Sequence, residues 1–207
     1  DRGVPADIAA MFEPFGIAVH AAMDGTGVAG MNVVIAGCGP IGLMTIMAAR
    51  ALGANTIVAT DRNTMRLGEA AKCGADFCID VDAGDLKTHI LQALPNGPDV
   101  FLDFSAAAES IQVAGDVVAG GGEIRLIGSP AGMINLNIER WLHRGLTVRG
   151  LHGRRLFATW VHAMRLVNDR RVDLKRLISH VLPLNEARYG FAEALAGRSL
   201  KVLIDLT

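Results

Sequence analysis

The sequence is poor in cysteine, almost neutral, and without an apolar run of membrane length. Its three cysteines, Cys38, Cys73 and Cys78, form no C-x-x-C pair. That argues against a zinc knuckle or a disulfide framework and reads as reduced, cytoplasmic thiols. The formal net charge is −1, so no basic surface marks a nucleic-acid partner. No apolar stretch reaches the roughly 20 residues of a membrane helix, and no signal-peptide pattern opens the chain. The expected setting is the cytoplasm, with no membrane partner. Histidines stand at positions 20, 89, 143, 152, 162 and 180 without an H-x-x-x-H or equivalent spacing, so no metal site is expected within this chain. Internal repeats and low-complexity tracts are lacking as well.

What is present is apolar residue, at 51%, and glycine, 24 in 207 positions. That pairing suits an α/β protein with short, tight connections. Short β-rich apolar runs at 31–36, 56–60, 76–79, 99–104, 123–128 and 146–150 predict six strands. Between them, residues 41–52, 64–73, 85–94, 106–119 and 136–143 carry helical patterns. Pro40 and Gly53 bracket the first of these helices as start and stop signals. Alternation of this kind implies a doubly wound parallel sheet with helices on both faces, the Rossmann arrangement.

Past residue 150 the pattern changes. A helix is expected at 157–168, a loop or strand at 177–182, a helix at 186–196 and a strand at 201–206. The chain therefore divides into an entry segment (1–27), a dinucleotide-binding domain (28–155) and a C-terminal arm of helices and a strand (156–207). Apolar residues at both ends, Met11, Phe12 and Phe15 and then Val202, Leu203, Ile204 and Leu206, are surplus to a six-stranded unit. They are expected to face a domain outside this chain.

The most informative local motif is Gly37-Cys38-Gly39-Pro40-Ile41-Gly42. It follows a predicted strand and opens a predicted helix. Gly37 permits a tight turn, Gly39 lets the backbone approach a pyrophosphate, and Gly42 lets the helix pack on the strand. The helix N-terminus then offers free N–H groups to the phosphate. Asp61 ends the second strand, nineteen residues after Gly42, the spacing at which a carboxylate meets the adenosine ribose. A carboxylate there accepts from a free 2′-hydroxyl and repels a 2′-phosphate, which favours NAD over NADP. Arg62 beside it is read as a solvated loop residue. A methyltransferase also uses a glycine-rich first loop and an acid after the second strand. Against it stand the third glycine with its long helix, the Gly120-Gly121-Gly122 turn and the Gly128-Ser129-Pro130 loop.

Several further runs resemble the medium-chain, zinc-dependent alcohol dehydrogenases. They are Pro5-Ala6-Asp7-Ile8-Ala9-Ala10, Phe12-Glu13-Pro14-Phe15-Gly16, Ala18-Val19-His20, the glycine loop, residues 61–66, Gly150-Leu151-His152-Gly153-Arg154 and Phe157-Ala158-Thr159-Trp160. The Phe-Glu-Pro-Phe-Gly and Gly-Arg-x-x-Phe-x-Thr-Trp runs resemble the family's threonine-oxidising members. The resemblance begins partway into that family's chain. It implies a dehydrogenase that oxidises the β-hydroxyl of L-threonine, or a similar small alcohol or polyol. The cofactor would be NAD, and zinc would serve in the intact enzyme. It also implies a homodimer or homotetramer joined through the sixth strand.

Position by position, the resemblance places Pro40 and Ile41 against the cofactor, Asp61 on the adenosine ribose, and Arg66 at the same end. Ile127, Gly128 and Ser129 would line the nicotinamide side, together with Leu151 and His152. Glu13 matches an acid beside the catalytic zinc, where it tunes the metal or relays a proton. The zinc ligands of the family have no counterpart here, so no metal ligand is assigned. The alternative is a stand-alone NAD-binding module with no chemistry of its own.

Overall fold

The computed structural model describes residues 4–206. A short helix, α1 (Ala6–Ala9), leads into α2 (Phe12–Met23). There follow β1 (Asn32–Ala36), α3 (Pro40–Ala51), β2 (Thr56–Asp61), α4 (Thr64–Cys73), β3 (Phe77–Asp80) and α5 (Leu86–Ala93). The second half runs β4 (Val100–Asp103), α6 (Ala108–Val117), β5 (Glu123–Leu126), α7 (Ile138–His143) and β6 (Thr147–Gly150). All six strands are parallel, in the order β3-β2-β1-β4-β5-β6. The order reverses between β1 and β4, so a crevice opens at their carboxyl ends.

Local chemistry explains the boundaries. Pro40 occupies the first turn of α3 behind the extended Gly39, where its missing N–H costs no helix hydrogen bond. Asn63 caps α4 by accepting from the Arg66 N–H, and Gly74 ends that helix at φ +114°. Asp85 caps α5 in the same way as Asn63. β5 is shorter than the apolar run suggests. Beyond Leu126 the N–H groups of Ile127 and Gly128 both donate to the Asp103 carbonyl at 2.9 Å, which turns the chain across the end of β4.

The entry segment corrects an expectation. Met11, Phe12 and Phe15 do not wait for an outside partner. They are buried in the same apolar cluster as Val33 and Ile35 of β1 and Leu43 and Met47 of α3. Burying an aromatic side chain of this size stabilises a fold by roughly 1.5–3 kcal/mol. The far end of α2 is stitched to the sheet by Arg125, whose guanidinium is fully buried. It donates to the carbonyls of Ala21 (2.7 Å) and Gly27 (3.0 Å) and to Glu123 Oε2 (2.8 Å). Thr26 closes the loop onto the same carboxylate.

The arm divides. Its first helix, α8 (Ala158–Asn168), packs on α2 and brings Ala163 and Leu166 into the core, followed there by Val172, Leu174 and Leu177. These residues too were expected to lie outside the sheet-and-helix unit. Beyond them, β7 (Ile178–Pro183) and β8 (Lys201–Asp205) form a separate two-stranded parallel sheet, joined by α9 (Ala187–Leu195). The stretch near 177–182 is thus a strand. Val202, Leu203 and Ile204 are half-buried there, and Leu206 is exposed.

Candidate functional site

The glycine loop is shaped by close contact and by open space. Gly37 adopts φ +93°, and a Cβ there would lie 2.9 Å from the backbone nitrogen of Ser105. At Gly42 a Cβ would lie 1.9 Å from the carbonyl oxygen of Gly37, so this glycine lets the loop close on itself. Gly39 differs, since a Cβ on it would meet no protein atom within 4 Å. Its backbone borders free space at the start of α3, where helix N–H groups favour an anion.

A cavity of about 440 Å³ opens beside this loop. Gly37, Gly39, Asp61, Arg62 and Arg66 line one side, and Phe104, Ser105, Ala107, Glu109 and Ser110 the other. Asp61 is half-buried. Its Oδ2 accepts from the Cys38 N–H at 2.6 Å and its Oδ1 from the Asn63 N–H at 2.8 Å. One lone pair on each oxygen remains for a ligand. Arg66 Nε is buried without a hydrogen-bond partner, a nitrogen suited to an added acceptor. Cys38 lies under the loop, and burial together with Asp61 pushes its thiol far up. It is inert padding, not a nucleophile.

The far wall rests on Asp103, at the end of β4. Its carboxylate accepts from the Ala106 N–H (2.8 Å), Ser105 Oγ (2.9 Å) and Ser110 Oγ (2.6 Å). Burial pushes this carboxyl up despite those three donors. The turn it holds is wedged between two glycines. It meets Gly37 on one side, and on the other a Cβ at Gly128 would come within 2.7 Å of the Ala106 nitrogen. Asp103, Ser105, Ser110 and Asn63 were not singled out from the sequence. The available signal was an acid closing a buried strand, with hydroxyls two and seven residues on.

Of the residues expected at the site, Gly37, Gly39, Asp61 and Arg66 share one cavity. Pro40, Ile41 and Gly42 form the first turn of α3 beside it. Ile127, Gly128 and Ser129 follow β5, and Leu151 and His152 follow β6. These five sit at neighbouring strand ends and do not line that cavity. Leu151 is held by its N–H to the Leu126 carbonyl at 2.9 Å, and His152 is exposed. Glu13 stands at the start of α2, paired with Arg154 at 2.5 Å. Arg154 also covers Trp160, which stacks on Phe12. His20 is buried and its Nδ1 meets the Gly153 carbonyl at 3.0 Å. Among the described residues, no three His, Cys, Asp or Glu side chains converge on a possible metal position.

Strand order, glycine loop and acid after β2 together define a dinucleotide-binding α/β domain. A family model described as zinc-binding dehydrogenase matches residues 40–169, and the chain belongs to that family. It is 35% identical over 204 residues to an L-threonine 3-dehydrogenase of Deinococcus deserti, covering 98% of this chain and 59% of that protein. The chain thus spans about three-fifths of the length of the curated relatives it matches. An oxidoreductase of unknown specificity from Escherichia coli superposes with a TM-score of 0.92 at 24% identity, over 100% of this chain and 60% of its own. That likeness shows the fold. A zinc-binding dehydrogenase of Sinorhizobium meliloti, solved with NADP, gives 0.89 at 26% identity, over 98% of this chain and 61% of its own.

Proposed function

We propose that this chain binds a nicotinamide dinucleotide in the β1–β4 crevice, NAD in preference to NADP, as the cofactor-holding part of an alcohol dehydrogenase. Asp61 is the observation that carries the reading, because its doubly held carboxylate borders the cavity at the end of β2, nineteen residues after the last loop glycine. Gly37, Gly39, Pro40, Ile41 and Gly42 take the pyrophosphate, and Asp61 and Arg66 the adenosine ribose. Ile127, Gly128, Ser129, Leu151 and His152 take the nicotinamide end. A nicotinamide held there would supply hydride acceptance, and the residues named above would fix its position against the alcohol. The described residues offer no zinc donor set, so no step is assigned to a metal held by this chain. Glu13, steadied by Arg154, is the acid at the substrate end.

The kinship with L-threonine 3-dehydrogenases favours oxidation of the L-threonine β-hydroxyl to 2-amino-3-oxobutanoate by the whole enzyme. Turnover of a full-length enzyme with threonine, butanediol and sorbitol decides between that substrate and a polyol. The second cofactor reading rests on Arg62, which is exposed and lines the cavity beside Asp61; it makes NADP the ligand. Titration of the chain with NADH and NADPH separates the two. Asp61→Ala should weaken NADH binding by roughly 1.5–3 kcal/mol and narrow the preference. Equal affinity in the unmutated chain removes the proposed role of Asp61. Self-association through β6 belongs to the same reading. All four of its residues are exposed at the sheet edge, where unpaired backbone groups suit a two-fold mate. Sedimentation at high protein concentration should show a dimer or tetramer, and a strict monomer rejects it.

A further inference from the structure

Asn63 joins the ribose end of the crevice to the C-terminal arm. Its N–H donates to Asp61 Oδ1 at 2.8 Å, and its Oδ1 accepts from the Arg66 N–H at 3.1 Å. Its Nδ2 donates to the carbonyl of Gly197 at 3.1 Å. Gly197 lies 134 residues further along, in the turn between α9 and β8. The contact is tight and specific. Gly197 adopts φ +70°, and a Cβ there would come within 3.3 Å of Asn63 Nδ2 and 3.6 Å of Arg66 Nη2. Arg66, expected at the adenosine ribose, and Asn63, which holds Asp61, thus face the place where the arm lands. Two residues on, Ser199 is buried, whereas in α9 only Gly190 is buried. The turn is one place where this outer part of the arm seats on the sheet domain, beside Ile178, Leu200 and Leu203, which pack against the main core.

We propose that Asn63 is a positioning residue that couples cofactor occupancy at Asp61 to the seating of the arm. This rests on the cofactor reading above and deepens it. The Asp61 carboxylate is aimed by two N–H donors, one from the glycine loop and one from Asn63. The Asn63 backbone is in turn held because its side chain is fixed at both ends. When the arm lifts, Nδ2 loses its acceptor, the cap is free to rotate, and Asp61 loses one of its two fixed donors. Coupling between two sites is reciprocal. A ligand that engages Asp61 and Arg66 therefore steadies the turn at 196–200.

The test uses the full chain, NADH as probe, and two variants acting from opposite sides. Asn63→Ser keeps a good helix cap but cannot reach Gly197. Gly197→Ala puts a methyl group between the turn and Asn63, at a residue outside the cavity lining. Affinity is read by fluorescence titration, and seating by amide exchange at residues 196–200 with and without NADH. NADH should slow exchange there in the unmutated chain. Each variant should bind NADH about three- to tenfold more weakly, the loss expected for one hydrogen bond. Each should also lose the NADH-dependent slowing, while the thermal midpoint of at least one stays close to the unmutated value without NADH. Unchanged affinity in both variants, or slowing that persists in them, overturns the coupling and leaves the cofactor reading standing. An unmutated chain that binds neither NADH nor NADPH overturns both.

Discussion

Met11, Phe12 and Phe15 near the start of the chain are 0%, 4% and 0% exposed, whereas Leu184, Phe191 and Leu195 near its end are 64%, 68% and 88% exposed. Both regions carry apolar residues beyond the needs of a six-stranded unit, yet only one is absorbed by it. The difference lies in what each helix can reach. α2 lies against α3 and is fixed at its far end by the buried Arg125. α9 lies on a two-stranded sheet of its own and meets the rest of the molecule through that sheet and its following turn. An apolar run thus marks a surface that needs a partner. Whether that partner is internal depends on long-range anchors such as Arg125, which stands 104 residues from the carbonyl it holds.

The comparison can be broken most directly by paired truncations. Phe15→Ala should cost about 3–5 kcal/mol of stability, while Phe191→Ala should stay within about 0.5 kcal/mol of the unmutated chain. Denaturant midpoints measure both, and similar small losses would mean that α2 is as dispensable as α9. Next in size is a pH effect at the anchor of α2. Burial pushes the Glu123 carboxyl up, but Arg125 and Thr26 hold it net below its ordinary value of 4.5. Its contribution is therefore present above pH 4.5 and lost as pH falls through the lowered value. Asp103, raised by burial, acts in the opposite direction, so the informative measurement is the unmutated chain against Glu123→Gln. The variant's unfolding midpoint should fall less steeply below pH 4.5, and identical slopes would deny the anchor its electrostatic part. The smallest effect lies where the arm begins. Phe157 adopts φ +68°, ψ −53° and is 83% exposed, a sparsely populated conformation that costs a non-glycine residue roughly 1–3 kcal/mol. Phe157→Gly should raise the thermal midpoint slightly, and a drop would show that the exposed ring is needed for packing.

The doubly wound sheet was legible because its signals are local. Gly37, Gly39 and Gly42 stand at fixed offsets after an apolar strand, and Asp61 ends the next one. The helix at 64–73 was readable from its Gly74 stop. Residues whose roles come from distant partners were not legible. Arg125 reads as a charge interrupting a strand until Ala21, Gly27 and Glu123 surround it. Asp103 reads as a strand-end acid until Ser105, Ala106 and Ser110 turn toward it. The burial of α2 and α8 was missed for the same reason, since α8 packs on α2 from far along the chain and α2 in turn packs on α3.

The turn at 104–106 carries a consequence for redesign. It is clamped between Gly37 and Gly128 and pinned from beneath by Asp103, so three strand ends share one keystone. A crevice built this way is preorganised, and little ordering need accompany ligand entry. Substitutions at Gly37, Gly128 or the turn would propagate into all three strands. The β2 end has no such clamp, and there Arg62 is exposed beside a carboxylate aimed by only two N–H groups. The proposed choice between dinucleotides therefore turns on the β2 end, where the exposed Arg62 can be exchanged without disturbing the scaffold, whereas Asp61 and Asn63 are tied into it.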